Sequence, residues 1–233
     1  GVSSAICIGG VGSVFWMWII AILGSASALA ESTLAQIYKK KGKDGQCYGG
    51  PAYYIEAALH SRGLAVVFCI AMILTYAFGF NMLASYNLQS TFSGQPFYNA
   101  EITPWIIGGI LALVMGWCLL GGGNRIVKVT STLVPFMGIA YILVSLLIVV
   151  LNIGQLPSVM AQIFKEAFDF KAIFAGFAGS AMMQGIRRGL YSNEAGIGSA
   201  PNAAASAMVS HPVKQGMVQM LSVFIDTLLL CTA

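Results

Sequence analysis

Long apolar runs alternate with short polar ones along the chain. Five runs reach or approach the roughly twenty mostly apolar residues that a membrane-crossing helix needs: Phe15 to Tyr38, Leu64 to Leu83, Ile102 to Leu120, Ser131 to Leu151 and Gly216 to Ala233. The first opens on the aromatic anchor Phe15-Trp16-Met17-Trp18 and carries one acid, Glu31. The second has no charge. The third begins with Pro104 and Trp105, a helix start at an interface. The fourth is the most apolar, and Asp226 interrupts the fifth. A sixth region, Lys171 to Tyr191, is apolar only in its first half. Between the runs, Pro157 to Phe168 sets Val159, Ile163, Phe164 and Ala167 at helical spacing, which predicts a short amphipathic helix on the outer surface. GGPAYYIEAAL, Gly49 to Leu59, predicts a similar short helix on the inner side.

Charge then orients the spans. With the loop after the first span in the cytoplasm, ten basic residues fall inside (Lys39, Lys40, Lys41, Lys43, Arg62, Arg125, Lys128, Arg187, Arg188 and Lys214) and two outside, Lys165 and Lys171. The alternation obeys the positive-inside rule. The opposite orientation would reverse it.

Composition supports the same class. Hydrophobic residues make up 58% of the 233 positions and charged residues 9%, where a soluble domain has about a quarter charged. Mean hydropathy is +0.80. Too few charges exist to cover a water-facing surface, so the chain reads as an all-α integral membrane protein in contact with a lipid bilayer. A net charge of +4 leaves no basic track for a nucleic acid. Cys7, Cys47, Cys69, Cys118 and Cys231 are scattered and read as small apolar residues, not as disulfides or metal ligands. Gly1 is no initiator Met, and no signal peptide is visible. The final run stops at Ala233 with no flanking charge, so the sequence is expected to be a fragment cut at both ends.

Polar groups within apolar runs are the candidates for function, because an ionisable group in a bilayer is costly. Asp226, followed by Thr227, is either a cation or amine contact with hydroxyl support, or an acid bonded to a neighbouring helix. Asn81, beside Gly79 and two phenylalanines, is either a pocket residue or an interhelical hydrogen bond. In KAIFAGFAGSAMMQGIRRGLY, residues Gly176, Gly179 and Gly185 weaken the helix and Gln184 is polar. Interrupted helices bind ions and substrate carboxylates through freed backbone groups, but close packing of small residues would use the same pattern. Composition alone favours packing. Glu31 reads as a carboxylate reaching toward the inner interface and the Lys39 cluster. SNEAGIGSAPNAAASA, Ser192 to Ala207, carries the single acid Glu194 after Arg187 and Arg188, and its composition fits a loop or a packing face. No HExxH, GxSxG, Walker A or GxGxxG motif occurs, so an enzyme is not indicated.

Four segments together resemble one family. GGVGSVFWMW (Gly9 to Trp18), GGPAYYIEAAL, RRGLYSNEAGIGSAPNAAA (Arg187 to Ala205) and HPVKQGMVQMLSVFIDT (His211 to Thr227) are similar to the alanine or glycine:cation symporters, in the family's order and along nearly the whole chain. The resemblance implies a multi-pass inner-membrane carrier that couples uptake of a small neutral amino acid, alanine or glycine, to sodium, sometimes to protons. It implies no cofactor beyond Na+ as coupling ion. It also implies a leucine-transporter-type fold of two inverted five-helix repeats, each with a broken first helix. The chain would then be a single transmembrane-domain fragment, from the outer half of the first broken helix to the second helix of repeat two. Lys171 to Tyr191 would be the broken helix of repeat two. The substrate candidates are then Asn81, Gly176, Gly179, Gln184 and Gly185, and the cation candidates Asp226 and Thr227. Glu194 would pair with a basic residue at an inner gate, at the cytoplasmic end of the broken helix. A bundle that binds without transporting, and a carrier of the same fold with another solute or with proton coupling, stay open beside it.

Overall fold

Among the described residues, helices make up the regular structure apart from one pair of two-residue strands. The computed structural model describes residues 2–42, 47–96, 98–169 and 180–232. Helix α1 is Val2–Gly9 and α2 is Ser13–Ile37. The antiparallel strands β1, Lys40–Lys41, and β2, Cys47–Tyr48, pair Lys40 with Tyr48. Then come α3, Pro51–Leu59, α4, Arg62–Ser90, α5, Thr103–Leu120, and α6, Gly122–Leu151. The chain continues with α7, Leu156–Ala167, α8, Ala181–Asn193, α9, Ser199–Ser206, and α10, Pro212–Leu230. Pro51, Pro104, Pro157 and Pro212 sit in the first turns of α3, α5, α7 and α10, where a missing N–H leaves no hydrogen bond unmade.

Five helices among the described residues are long and apolar enough to cross a membrane: α2, α4, α5, Arg125–Leu151 of α6, and α10. They coincide with the five predicted runs. Helix α4 continues past Leu83 to Ser90, because the polar Asn81–Ser90 segment keeps its helical backbone bonds. Of the sixth region, residues 170–179 lie outside the described residues, and only Ala181–Asn193 is seen as helix.

Two compact units divide the chain: Gly1–Ala65 with Tyr141–Ala233, and Val66–Ala140. The first is organised around α2. Its buried residues are mostly small: Ser13, Val14, Met17, Ala21, Gly24, Ser25, Ala28, Ser32, Ala35 and Gln36. Their three- and four-residue spacing makes one continuous face on a helix. Small residues let helix backbones approach closely where lipid offers no hydrophobic contrast.

Helix α8 runs parallel to this face. Gly185 lies against Ser13 and Trp16, so closely that a Cβ there would overlap the Ser13 carbonyl oxygen, and Gly189 lies against Met17 and Ile20. Helix α10 runs antiparallel. Gly216 lies against Leu29 and Thr33, Val223 packs with Ala21 and Ala28, and the Trp18 indole N–H donates to Thr232 Oγ1 at 2.8 Å. The predicted amphipathic helix is α7, with Ile163 and Ala167 buried. It is docked on the start of α2. The Gly12 N–H donates to Glu166 Oε2 at 3.3 Å, Trp16 Nε1–H donates to the Ala167 carbonyl at 3.0 Å, and Phe164 meets Phe15 with centroids 5.6 Å apart.

The second unit is built differently. Helix α5 packs on the Asn81–Ser90 part of α4, and most side chains in both helices point outward. A Cβ added at Gly108, Gly109 or Gly116 in α5 would meet no atom within 4 Å. The outward Leu113, Trp117 and Leu120 are the kind of surface a bilayer or further helices cover.

Candidate functional site: a helix break beside α2

Helix α8 starts beside Gly9 of α1 and is only 13 residues long, so it ends halfway along the 25-residue α2. At that level Gly24 leaves room for its end: a Cβ on Gly24 would lie 3.2 Å from Asn193 Nδ2 and 3.3 Å from Ala195 Cβ. The chain then breaks. Glu194, Gly196 and Gly198 all have positive φ, at 49°, 84° and 92°. Two are glycines, which adopt this conformation freely, whereas Glu194 takes it as the residue that ends α8. Helix α9 then follows the second half of α2 to its end. There Gln36 Nε2–H donates to the carbonyls of Ala204 and Ala207, and Asn202 fills the space beside Gly50. Ser192 to Ala207 therefore begins at mid-helix depth and runs along α2. It follows the end of α8, as expected, and its far end meets Gln36 and Lys39.

The break brings several predicted residues together. Ser192 Oγ–H donates to Asp226 Oδ2 at 2.5 Å. The fully buried Thr227 donates to Asn193 Oδ1. Asp226 and Thr227 lie where α10 changes to a π-helical turn, Ile225–Leu230, a local widening often found at functional sites. Ser192, Asn193, Glu194, Gln219, Ser222, Val223 and Asp226 line a cavity of about 190 Å³. Its polar lining of two carboxyl groups, hydroxyls and amides is an oxygen-rich set suited to a hard cation. Glu194 itself accepts from Ser199 Oγ–H. A hydroxyl is its partner among the described residues, not the basic side chain that was expected, because the left-handed turn folds the chain back onto the first residue of α9.

The remaining predicted residues lie elsewhere. Gln184, buried in the first turn of α8, packs against Gly9 of α1, where a Cβ would come 2.8 Å from Gln184 Cβ. Gly185 is taken up by packing against α2. Nine residues separate Gln184 from Asn193, about 13 Å along a helix. Asn81 belongs to the second unit, where its Nδ2–H donates to the Ala77 carbonyl at 3.2 Å within its own helix. Gly176 and Gly179 lie outside the described residues.

Glu31 is the functional candidate that the hydropathy reading missed. Among the described residues Lys39 turns elsewhere, its Nζ donating to Gln36 Oε1 at 2.6 Å and to the Ala207 carbonyl at 3.0 Å. The Glu31 carboxylate instead lies against the break, with the Gly196 backbone N–H facing it. Its Oε2 is buried without a hydrogen-bond partner. Burial, and then the Glu31 charge, push the Tyr54 phenol on α3 up to about 12. The signal was present in the sequence, since Glu31 falls between Ala28 and Ala35 on the small-residue face of α2. Among the described residues no three His, Cys, Asp or Glu side chains converge on a metal.

Five apolar helices and a break with ionisable groups at mid-helix depth define an all-α, multi-pass membrane protein. The family model of the "Sodium:alanine symporter family" matches residues 1–233, and the chain belongs to that family, whose members lie in the cell membrane. It is 50% identical over 234 residues to the putative sodium/proton-dependent alanine carrier protein YrbD of Bacillus subtilis, covering 100% of this chain and 47% of the relative. It is 47% identical to the probable sodium/glutamine symporter GlnT of B. subtilis, covering 100% of the chain and 48% of that protein. To the sodium/alanine symporter AgcS of Methanococcus maripaludis it is 39% identical, covering 100% and 51%. The chain thus spans about half the length of these relatives.

Proposed function

We propose that the chain is part of a sodium-coupled symporter of small neutral amino acids, alanine or glycine, working by alternating access as a carrier and not an enzyme. The observation that carries this reading is the polar cavity at the α8–α9 break, in a chain that matches the symporter family from end to end. In the leucine-transporter-type arrangement, the break would belong to the first helix of the second inverted repeat, where freed backbone groups and half-helix ends bind ions and substrate.

Asp226, with Ser192 and Thr227, would hold Na+ with oxygen ligands, while the neighbouring Glu194 lines the cavity and is held by Ser199. Gln184 would meet a charged end of the amino acid, and the substrate roles of Asn81, Gly176, Gly179 and Gly185 stay those that the family resemblance implies. Sodium bound beside the break would favour the substrate-binding conformation, which couples the two gradients thermodynamically.

The test is uptake of labelled alanine into proteoliposomes containing the full-length parent protein, with and without an inward sodium gradient. Sodium-dependent uptake that excess unlabelled alanine or glycine suppresses is the expected result. Uptake that ignores sodium, or no uptake of any small amino acid, would overturn the reading. A competition panel that includes glutamine separates alanine carriers from carriers of the same fold with other solutes.

A further inference from the structure

The polar cavity accounts for Asp226, Ser192 and Glu194 but leaves Glu31 unused. Three buried polar atoms without a hydrogen-bond partner fall around the break: Glu31 Oε2, Ser32 Oγ and Asn193 Nδ2. Ser32 is fully buried and Asn193 is 4% exposed. Orphaned buried polar atoms are uncommon and costly, and an unpaired carboxylate inside a span is costlier still.

Among the described residues no cation offsets this charge. Helix α2 has no other titratable side chain. Helix α3 brings Tyr53, Glu56 and the Tyr54 phenol. Arg187 and Arg188 on α8 make no ion pair with Glu31 among the described residues. The break brings Glu194, which Ser199 holds, and α9 has no titratable group. On α10, Lys214 Nζ donates to Ser210 Oγ at 2.7 Å, and Asp226 is bonded by Ser192. On the other side of the carboxylate, Oε1 lies 3.9 Å from the Cβ position of Gly196. Oε1 is thus the oxygen nearer the break, and Oε2 is bare.

We propose that Glu31 is a proton-binding site whose charge state latches the helix break to α2. With Glu31 ionised, the carboxylate accepts the Gly196 N–H as a charge-assisted bond, roughly twice as strong as a neutral one, and holds residues 194–198 against α2. A proton from the adjoining aqueous side adds to Oε2. One O–H bond forms, no other bond is made or broken, and the neutral acid grips the Gly196 N–H less firmly. The segment that carries Glu194 and borders the cation cavity is then free to move against the small side chains of α2.

The binding step is read without transport. Infrared difference spectra between acidic and neutral pH, recorded on the full-length parent in phosphatidylethanolamine–phosphatidylglycerol vesicles, should show a protonated-carboxyl C=O band. That band should vanish in E31Q and survive in E194Q and D226N. A band that E31Q leaves unchanged, or no such band in the parent, overturns the assignment. Should E31Q not fold, E31D serves: a band displaced from the parent's position supports the site, and an identical band overturns it.

The latch also predicts that sodium-driven alanine uptake changes by about fivefold or more between the two pH values in the parent and stays flat in E31Q. An unaltered pH profile in E31Q overturns the latch. This readout rests on the symporter reading. If the parent takes up no amino acid, that reading fails while the infrared result still decides the proton site.

Discussion

The surroundings of α2 and the pair α4–α5 are both apolar helices, yet they are put together in opposite ways. Around α2 the buried residues are mostly Ala, Ser and Gly, and α8 and α10 come close enough that added methyl groups would collide with backbone. In the second unit the side chains are large and outward, and the α5 glycines touch nothing. Where lipid is the solvent, burying Leu gains little, so helices that must hold each other do so through close approach and polar bonds. The same close approach is what lets a broken helix, with unpaired backbone groups and two carboxyl groups, sit at mid-helix depth: irregular backbone is tolerated there only inside protein.

The sharpest way to break this contrast is to add bulk. Gly185→Leu should collide with Ser13 and Trp16 and cost about 3 kcal/mol or more, seen as loss of monodisperse protein on heating in detergent. Gly108→Leu in α5 should be tolerated. Equal melting of the two would show that the packing around α2 is no tighter than in the second unit.

The next effect is on ions. Asp226→Asn should raise the sodium concentration for half-maximal uptake by about tenfold, while alanine half-saturation at high sodium moves much less. Unchanged sodium dependence would reduce Asp226 to a helix-packing bond with Ser192.

A smaller effect separates two threonines. Thr227→Val keeps the shape but leaves the Asn193 amide without its hydroxyl partner, at a cost of about 1–2 kcal/mol. Thr132→Val on the exposed surface of α6, where the hydroxyl bonds only the Lys128 carbonyl, should stay within about 0.5 kcal/mol. Chemical denaturation of the two variants in the same detergent checks the difference.

The smallest effect is expected at Glu194. Glu194→Gln keeps an oxygen for Ser199 and should alter uptake by less than about twofold, a change in keeping with a neutral hydrogen bond. A larger loss would show that the charge acts at the cation cavity or at a gate.

Much of this was legible from the chain alone. The five spans follow from long apolar runs, which no tertiary contact can hide, and the α7 helix follows from the spacing of Val159, Ile163, Phe164 and Ala167. Asp226 was visible as an acid in an apolar run. Its partner Ser192 was not, since the bond joins residues 34 apart in sequence and depends on how α8 and α10 are paired. The depth of the break was hidden for a similar reason: it is set by Asn193 meeting Gly24, a relation between two helices. Glu31 was misread because nearness in sequence to four lysines was weighed above its position on the small-residue face of α2. Gln36 and the end of α9 claim Lys39 instead.

The bonds that dress α2 also set an order of assembly. Its contacts to α7, α9 and the end of α10 join residues separated by 151 to 214 positions. A ribosome therefore delivers α2 to the bilayer long before it makes the helices that cover its polar stripe. Until residue 181 and beyond emerge, Glu31, Ser32 and Gln36 must wait in lipid or at its edge while α4, α5 and α6 insert. Long-range closure of this kind is slow, and a half-made chain with an uncovered stripe is open to wrong partners. The features that make α2 a good cradle for a broken helix thus make it the part of the molecule most exposed to quality control during synthesis.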